Sequence, residues 1–96
     1  MAYLFIRHTV KDYPAWKAAF DSFIEMRRAS GEKWYQIFHP TDDPNSLFLL
    51  FRWDTLTNVR TFMSNPELKK VMGTAEFTEA PEVPFFLKKY AQGKLS

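Results

Sequence analysis

Two histidines, two strand-borne arginines and many aromatic rings are the groups in this 96-residue chain that could handle a small molecule. His8 lies late in the first β-rich segment. A neutral imidazole there can accept or donate a proton near pH 7. The plain alternative is a histidine hydrogen-bonded at a strand end, with no chemistry. His39 closes the second β-rich segment. Arg7 and Arg52 stand where strands seldom carry charge, and either guanidinium could clamp a substrate carboxylate or enolate through two parallel hydrogen bonds. Equally, they could meet an acidic group of a partner or reach water from the sheet end. Trp34, Tyr35 and Trp53, with Tyr3, could line a pocket for a flat ligand, although aromatic clusters are most often simply core. The candidate site is therefore His8 as the acid–base group, with Arg7, Trp34, Tyr35, His39, Arg52 and Trp53 as ligand contacts.

What is missing narrows the chemistry. The chain has no cysteine, hence no disulfide framework, thiol nucleophile or thiolate metal site. There is no Gly-rich phosphate loop and no H-E-x-x-H, and no spacing suggests a Ser-His-Asp set. His8 and His39 fall at the same end of the sheet read below, but two strand spacings put them about 10 Å apart. That is too far to share an ion with ligand bonds of about 2 Å unless the side chains lean together, and no third ligand is spaced to join them. No metal and no cofactor are expected.

These groups must be positioned by four strands and two helices. Residues 2–10 (AYLFIRHTV) read as a strand. Asp12 and Pro14 mark a helix start, with Asp12 placed to accept orphan amide bonds or to sit by the positive helix end. Tyr13, Trp16, Phe20, Ile24 and Arg27 then recur at three- and four-residue steps, with Phe23 beside them, as one helical stripe ending near Ser30-Gly31. Residues 33–39 (KWYQIFH) form the second strand, residues 40–45 a polar turn with two prolines, and residues 46–53 (SLFLLFRW) the third strand. Asp54 or Thr55 caps a second helix whose buried side is Leu56, Val59, Phe62 and Met63. Ser64-Asn65-Pro66 breaks and restarts that helix, and the short continuation carries Leu68, Val71 and Met72 before stopping at Gly73. Residues 73–82 read as a loop. Residues 83–90 (VPFFLKKY) form the fourth strand, where Pro84, which cannot donate to a ladder, suits either the start of a strand or an edge strand.

The order is β-α-β-β-α-β, the ferredoxin-like α+β pattern: a four-stranded antiparallel sheet with two helices on one face. Right-handed crossovers place the third strand between the first two and the fourth outside the first. Such a sheet with its other face in water should alternate apolar with polar residues. Instead Leu47, Phe48, Leu49, Leu50 and Phe51 run consecutively, as do Tyr3, Leu4, Phe5 and Ile6, and Phe85, Phe86 and Leu87. Each large side chain left bare would forgo about 1.5–3 kcal/mol, in a domain whose total stability is about 5–15 kcal/mol. The second face therefore needs cover, from another copy, a different partner or a ligand held between subunits.

Length and composition set the same bounds. One domain fits residues 1–96, with its core in 2–90. Ten Phe, four Tyr and three Trp are many large rings for so small an interior. The net charge is only +2, the basic residues are scattered, and the glycine-aromatic signature of ferredoxin-like RNA binders is absent, so nucleic acid is not an expected partner. The apolar start, Met1 to Ile6, is too short for a signal peptide or a membrane span. No membrane association is expected, and a cytoplasmic location follows by default.

Several stretches resemble the dimeric α/β-barrel superfamily. They are Arg7-His-Thr-Val followed by Asp12-Tyr-Pro-Ala-Trp16-Lys-Ala-Ala-Phe20-Asp21, Asp43-Pro-Asn45 before the third strand, Phe51-Arg-Trp-Asp54 running into the second helix, and the Asn65-Pro-Glu-Leu68 restart. Within the superfamily the chain is similar to small antibiotic-biosynthesis-monooxygenase-like proteins, over residues 2–90. The resemblance implies a homodimer with two sheets packed face to face, and a pocket between each sheet and its helices for a small aromatic or polyketide-like molecule. It admits a cofactor-independent monooxygenase, a polyketide-cyclase-like enzyme, or a non-catalytic ligand-binding, stress or structural homodimer. Histidines stand often at the position of His8 in similar proteins. The haem-degrading relatives carry a haem-ligating histidine on the second helix, whereas residues 55–72 here contain none.

Overall fold

A computed structural model of the chain describes residues 1–67 and 82–96. Its elements are β1 (Ala2–Thr9), α1 (Tyr13–Ser22), α2 (Ile24–Ser30), β2 (Glu32–Phe38), β3 (Ser46–Trp53), α3 (Leu56–Met63) and β4 (Val83–Leu87). All pairings are antiparallel and the strand order is β2-β3-β1-β4. This is the ferredoxin-like arrangement the sequence pattern predicts. Among the described residues no helix is long and apolar enough to cross a membrane.

Strand alternation sends two sets of side chains to opposite faces. Ala2, Leu4, Ile6 and His8 of β1 and Leu47, Leu49, Phe51 and Trp53 of β3 are buried beneath the helices, where Trp16, Phe20, Val59 and Phe62 close over them. The opposite face is a grid of three cross-strand rows: Leu87–Tyr3–Arg52–Trp34, Phe85–Phe5–Leu50–Gln36 and Val83–Arg7–Phe48–Phe38. Phe5 packs in tilted contact with Phe48 and Phe85, each at 6.2 Å, and Tyr3 meets Trp34 edge-on at 6.3 Å. Val83, Phe85, Leu87 and Phe38 remain 44–53% exposed. The apolar second face read from the sequence is therefore present and bare in the single chain.

Four local expectations are corrected. The first helix is two: α1 ends at Ser22 and α2 starts at Ile24, with Phe23 between them. The Phe20 carbonyl is engaged there by the Phe23 N–H at 3.2 Å and by Nη1 of Arg27, which reaches back along the chain. Of the helical stripe, Ile24 is 39% exposed, and on α3 Leu56 is 41% exposed rather than buried. Asp12 makes no side-chain cap; Asn45, from the β2–β3 turn, accepts the Tyr13 N–H through Oδ1 at 3.1 Å instead. Strand ends also shift, so that His39 lies just past β2 and residues 88–90 lie beyond β4. At α3 the cap is Thr55, which accepts the Asn58 N–H at 3.0 Å. Asn65 Oδ1 accepts the Glu67 N–H, as a restarting turn requires. The expected continuation at Leu68, Val71, Met72 and Gly73, and nearly all of the 73–82 loop, lie outside the described residues.

Candidate functional site

His8 occupies the last inward position of β1, opposite Leu47, and is 5% exposed. Trp16, one turn into α1, meets it edge-to-face at 6.3 Å and is itself stacked on Phe20 at 4.9 Å. Backbone ties hold this end together: Val10 N–H donates to the Asn45 carbonyl at 2.8 Å, beside the Tyr13–Asn45 bond. Burial lowers the His8 pKa below its ordinary 6.5, so the imidazole is neutral at physiological pH. The indole Nε1 of Trp16 is buried with no hydrogen-bond partner among the described residues. This end thus combines a neutral imidazole with an unused N–H donor, walled by rings.

The aromatic layer continues away from His8. Phe20 meets Tyr35 edge-on at 5.1 Å and Phe51 at 6.1 Å. It ends at a buried ion pair that the sequence reading did not single out. Arg27, 3% exposed, lies with its guanidinium carbon 3.6 Å from the Phe20 ring centroid and donates from Nε to Glu32 Oε2 at 3.1 Å. Glu32 reaches that side of the sheet because Lys33 is an extra residue in β2: Glu32 pairs with Trp53 and Trp34 with Arg52. Burial raises the Glu32 pKa, and the pull of Arg27 only partly opposes it. Arg27 Nη2 and Glu32 Oε1 are without partners among the described residues. A signal was present in the sequence: an arginine on an otherwise apolar helical stripe, five residues before a glutamate. Beside this pair, Ile24, Arg28, Glu32, Lys33, Trp34 and Tyr35 line a groove of about 230 Å³, smaller than the ~300–1,000 Å³ usual for a ligand pocket.

The seven residues singled out from the sequence do not converge on one point. His8, Tyr35 and Trp53 face the helices, with Trp53 at the far end of β3 from His8, 1% exposed, packed on Phe62 at 5.1 Å and its Nε1 unpaired. Arg7, Arg52 and Trp34 belong to the open face. Arg7 is exposed, its guanidinium 5.9 Å from the Phe48 ring, and Arg52 is half-buried with Nε unpaired. His39 is exposed, and its Nδ1 donates to the Pro40 carbonyl at 2.6 Å. It shares the sheet end with His8 but lies just past β2, outside the ladder.

No protein-family model matches the sequence, and no curated protein matches it either. Solved structures do match its fold. SnoaB, a cofactor-independent oxygenase from Streptomyces nogalater solved as a single-residue variant, superposes with a TM-score of 0.73 at 16% identity, over 95% of this chain and 94% of that one. An antibiotic biosynthesis monooxygenase matches with a TM-score of 0.72 at 10% identity, over 95% of this chain and all of its own. Rv0793 from Mycobacterium tuberculosis matches with a TM-score of 0.67 at 18% identity, over 97% and 98% of the two chains. The chain has the ferredoxin-like fold of the antibiotic-biosynthesis-monooxygenase-like proteins.

Proposed function

We propose that the chain is a homodimer, joined through its open sheet face, that binds a small aromatic or polyketide-like molecule between sheet and helices and oxidises it without a cofactor. The observation that carries the reading is His8: a buried, neutral imidazole facing the helix side of the sheet, against the ring of Trp16, whose indole N–H has no partner among the described residues. The likeness in fold to a cofactor-independent oxygenase supports the class of reaction.

The chemistry asks little of the protein. Oxygen reacts slowly with closed-shell molecules, so the substrate must first become electron-rich. His8 would take a proton from an activated methylene or phenol, leaving an enolate or phenolate. The Trp16 N–H is a donor suited to the oxygen on which that charge develops. Overall a ring methylene and one O₂ give a ring carbonyl and water, with every electron supplied by the substrate. Self-association would cover the apolar grid that the single chain leaves in water.

The test is oxygen uptake with dithranol, a dihydroxyanthrone, measured above its autoxidation. Turnover is expected, and His8→Phe should reduce it roughly 100-fold, the middle of the range for a general base. Turnover unchanged by that substitution overturns the catalytic reading. A second reading, a ligand-binding homodimer without chemistry, draws support from the division of the candidate residues between two faces. Dithranol binding with no oxygen uptake would favour it.

A further inference from the structure

One short helix walls in His8. The imidazole is 5% exposed and packs against Trp16 of α1, so no substrate-sized ring touches it while α1 stays down. Trp16 and Phe20 are the buried side chains of α1, and its other residues are half-buried or exposed. Few buried apolar groups mark an element that opens before the rest of a domain unfolds. The helix also lies between two breaks. Exposed Lys11 and Asp12 precede it, and Phe23 follows it with φ −96° and ψ 8°, in the sparsely populated bridge region. Residues at the ends of elements are those that absorb hinge rotations.

Closing α1 leaves polar groups unpaired along this seam. Trp16 Nε1, Arg27 Nη2 and Glu32 Oε1 are buried without partners among the described residues, and lifting α1 would bring water towards them. The desolvation cost of three such groups is of the same order as the gain from burying two rings, so the closed position has a narrow margin. Arg27 adds to that margin. From α2, beyond the Phe23 break, it donates from Nη1 to the Phe20 carbonyl and lies with its guanidinium carbon 3.6 Å from the Phe20 ring centroid. Its Nε donates to Glu32 at 3.1 Å, which fixes the guanidinium in that posture.

We propose that α1 is a lid hinged at residues 11–12 and at Phe23, and that the Arg27–Glu32 pair is the latch that holds its Phe20 end down. Phe20 is gripped by ring and carbonyl together, so the lid rises only by pulling Phe20 off the guanidinium. Glu32 acts through Arg27. The inference deepens the reading of His8 as the reacting group by giving that group an entrance, and it rests on that reading for its purpose though not for its mechanics.

The chain has only two histidines, which gives a direct test. Diethyl pyrocarbonate acylates neutral imidazole, and exposed His39 serves as the internal standard. Labelling is followed by mass spectrometry in rising urea below the unfolding transition, at one subunit concentration. Wild-type His8 should react more slowly than His39, at a rate that hardly changes with urea, because lifting one helix exposes far less surface than unfolding. Glu32→Gln removes the charge that orients Arg27 and should raise this rate about tenfold, still without a urea slope. Val59→Ala, a core truncation on α3, should lower global stability and leave the low-urea rate unchanged. His8 labelling that rises with urea as steeply as global unfolding, or that keeps pace with His39, overturns the latch. So does a rate that Glu32→Gln leaves unchanged, or that Val59→Ala raises equally. No substrate is involved, so the two readings fail separately. Urea-independent labelling without dithranol oxidation leaves the lid standing and sinks the catalytic reading; oxidation with His8 labelled only through global unfolding does the reverse.

Discussion

Arg27→Met should be among the most damaging single substitutions in this chain, and Arg27→Met/Glu32→Leu should be far milder. Arg27 and the Glu32 side chain are 3% and 7% exposed. Methionine keeps much of the stem but leaves a buried carboxylate with no counter-ion, worth about 3–5 kcal/mol. The 3.6 Å guanidinium–Phe20 contact and the bond to the Phe20 carbonyl at the α1–α2 break go as well, so the loss should approach half of a typical ~5–15 kcal/mol domain stability. The double variant removes both charges, and buried pairs replaced by apolar groups are often neutral or better. That outcome is favoured here because burial already outweighs Arg27 in setting the Glu32 pKa. The sign with pH follows. A carboxyl raised in the folded state contributes stability fully below its unfolded value of 4.5, and loses it as pH rises through the folded value. Without Arg27 the folded value climbs further, so the deficit of Arg27→Met should grow with pH above 4.5, by up to about 1.4 kcal/mol per unit. Urea unfolding at pH 5 and pH 8, at one fixed subunit concentration, measures all of this. A single-variant loss under about 1 kcal/mol, an equal loss at both pH values, or a double variant as unstable as the single would refute the reasoning.

Leu49→Ala, on the helix side, should cost about 2–5 kcal/mol at any protein concentration, while Leu50→Ala, its neighbour on the open face, should chiefly weaken self-association; urea melts across a concentration series separate the two. Gly31→Ala should cost about 1–3 kcal/mol in urea unfolding, because Gly31 has φ 122° and an added Cβ would strike the Asp54 carboxylate. That carboxylate accepts bonds from Thr55 N–H and the Asn58 amide at the start of α3. His8 makes stability fall on acidification: its folded pKa lies below 6.5, so its contribution is complete above that value and is lost as pH drops through the lowered one. Unfolding of His8→Phe should lack that part of the pH dependence, and wild type and variant keeping the same slope between pH 7 and 5 would refute it.

The sheet was legible from the sequence because its signals are local: β-rich runs without glycine, a Pro at an edge, and turns rich in Asp, Asn and Pro. The faces were harder. Alternation shows that Tyr3, Phe5 and Arg7 share one side and Leu4, Ile6 and His8 the other, but with both sides apolar, hydropathy does not say which side the helices take. Trp34 and Tyr35 were grouped as one pocket although adjacent strand residues must diverge. The extra residue at Lys33 then inverts the parity of β2, so counting back from Trp34 puts Glu32 on the wrong face. Missing that inversion hid the partner of Arg27. Ile24 and Leu56 fit an ideal 3.6-residue period, but α2 starts afresh after the break and α3 meets the sheet through Val59 and Phe62.

In the proposed dimeric enzyme, the division between faces makes self-association and chemistry separable in most places and coupled in one. Substitutions in β2 or β4 at Phe38 or Phe85 fall on the open grid. β1 differs, because Arg7 and His8 are consecutive and one strand carries both the centre of the bare face and the candidate base. In the single chain β1 is held on the helix side by buried Leu4 and Ile6, and on the open side by half-exposed ring contacts of Tyr3 and Phe5 and the Arg7–Phe48 contact. Covering that face would restrict β1 and, through it, the orientation of the His8 ring against Trp16. A dimer-weakening change such as Leu50→Ala should therefore lower turnover per chain at low protein concentration and recover it at high concentration, whereas His8→Phe should lower it at every concentration.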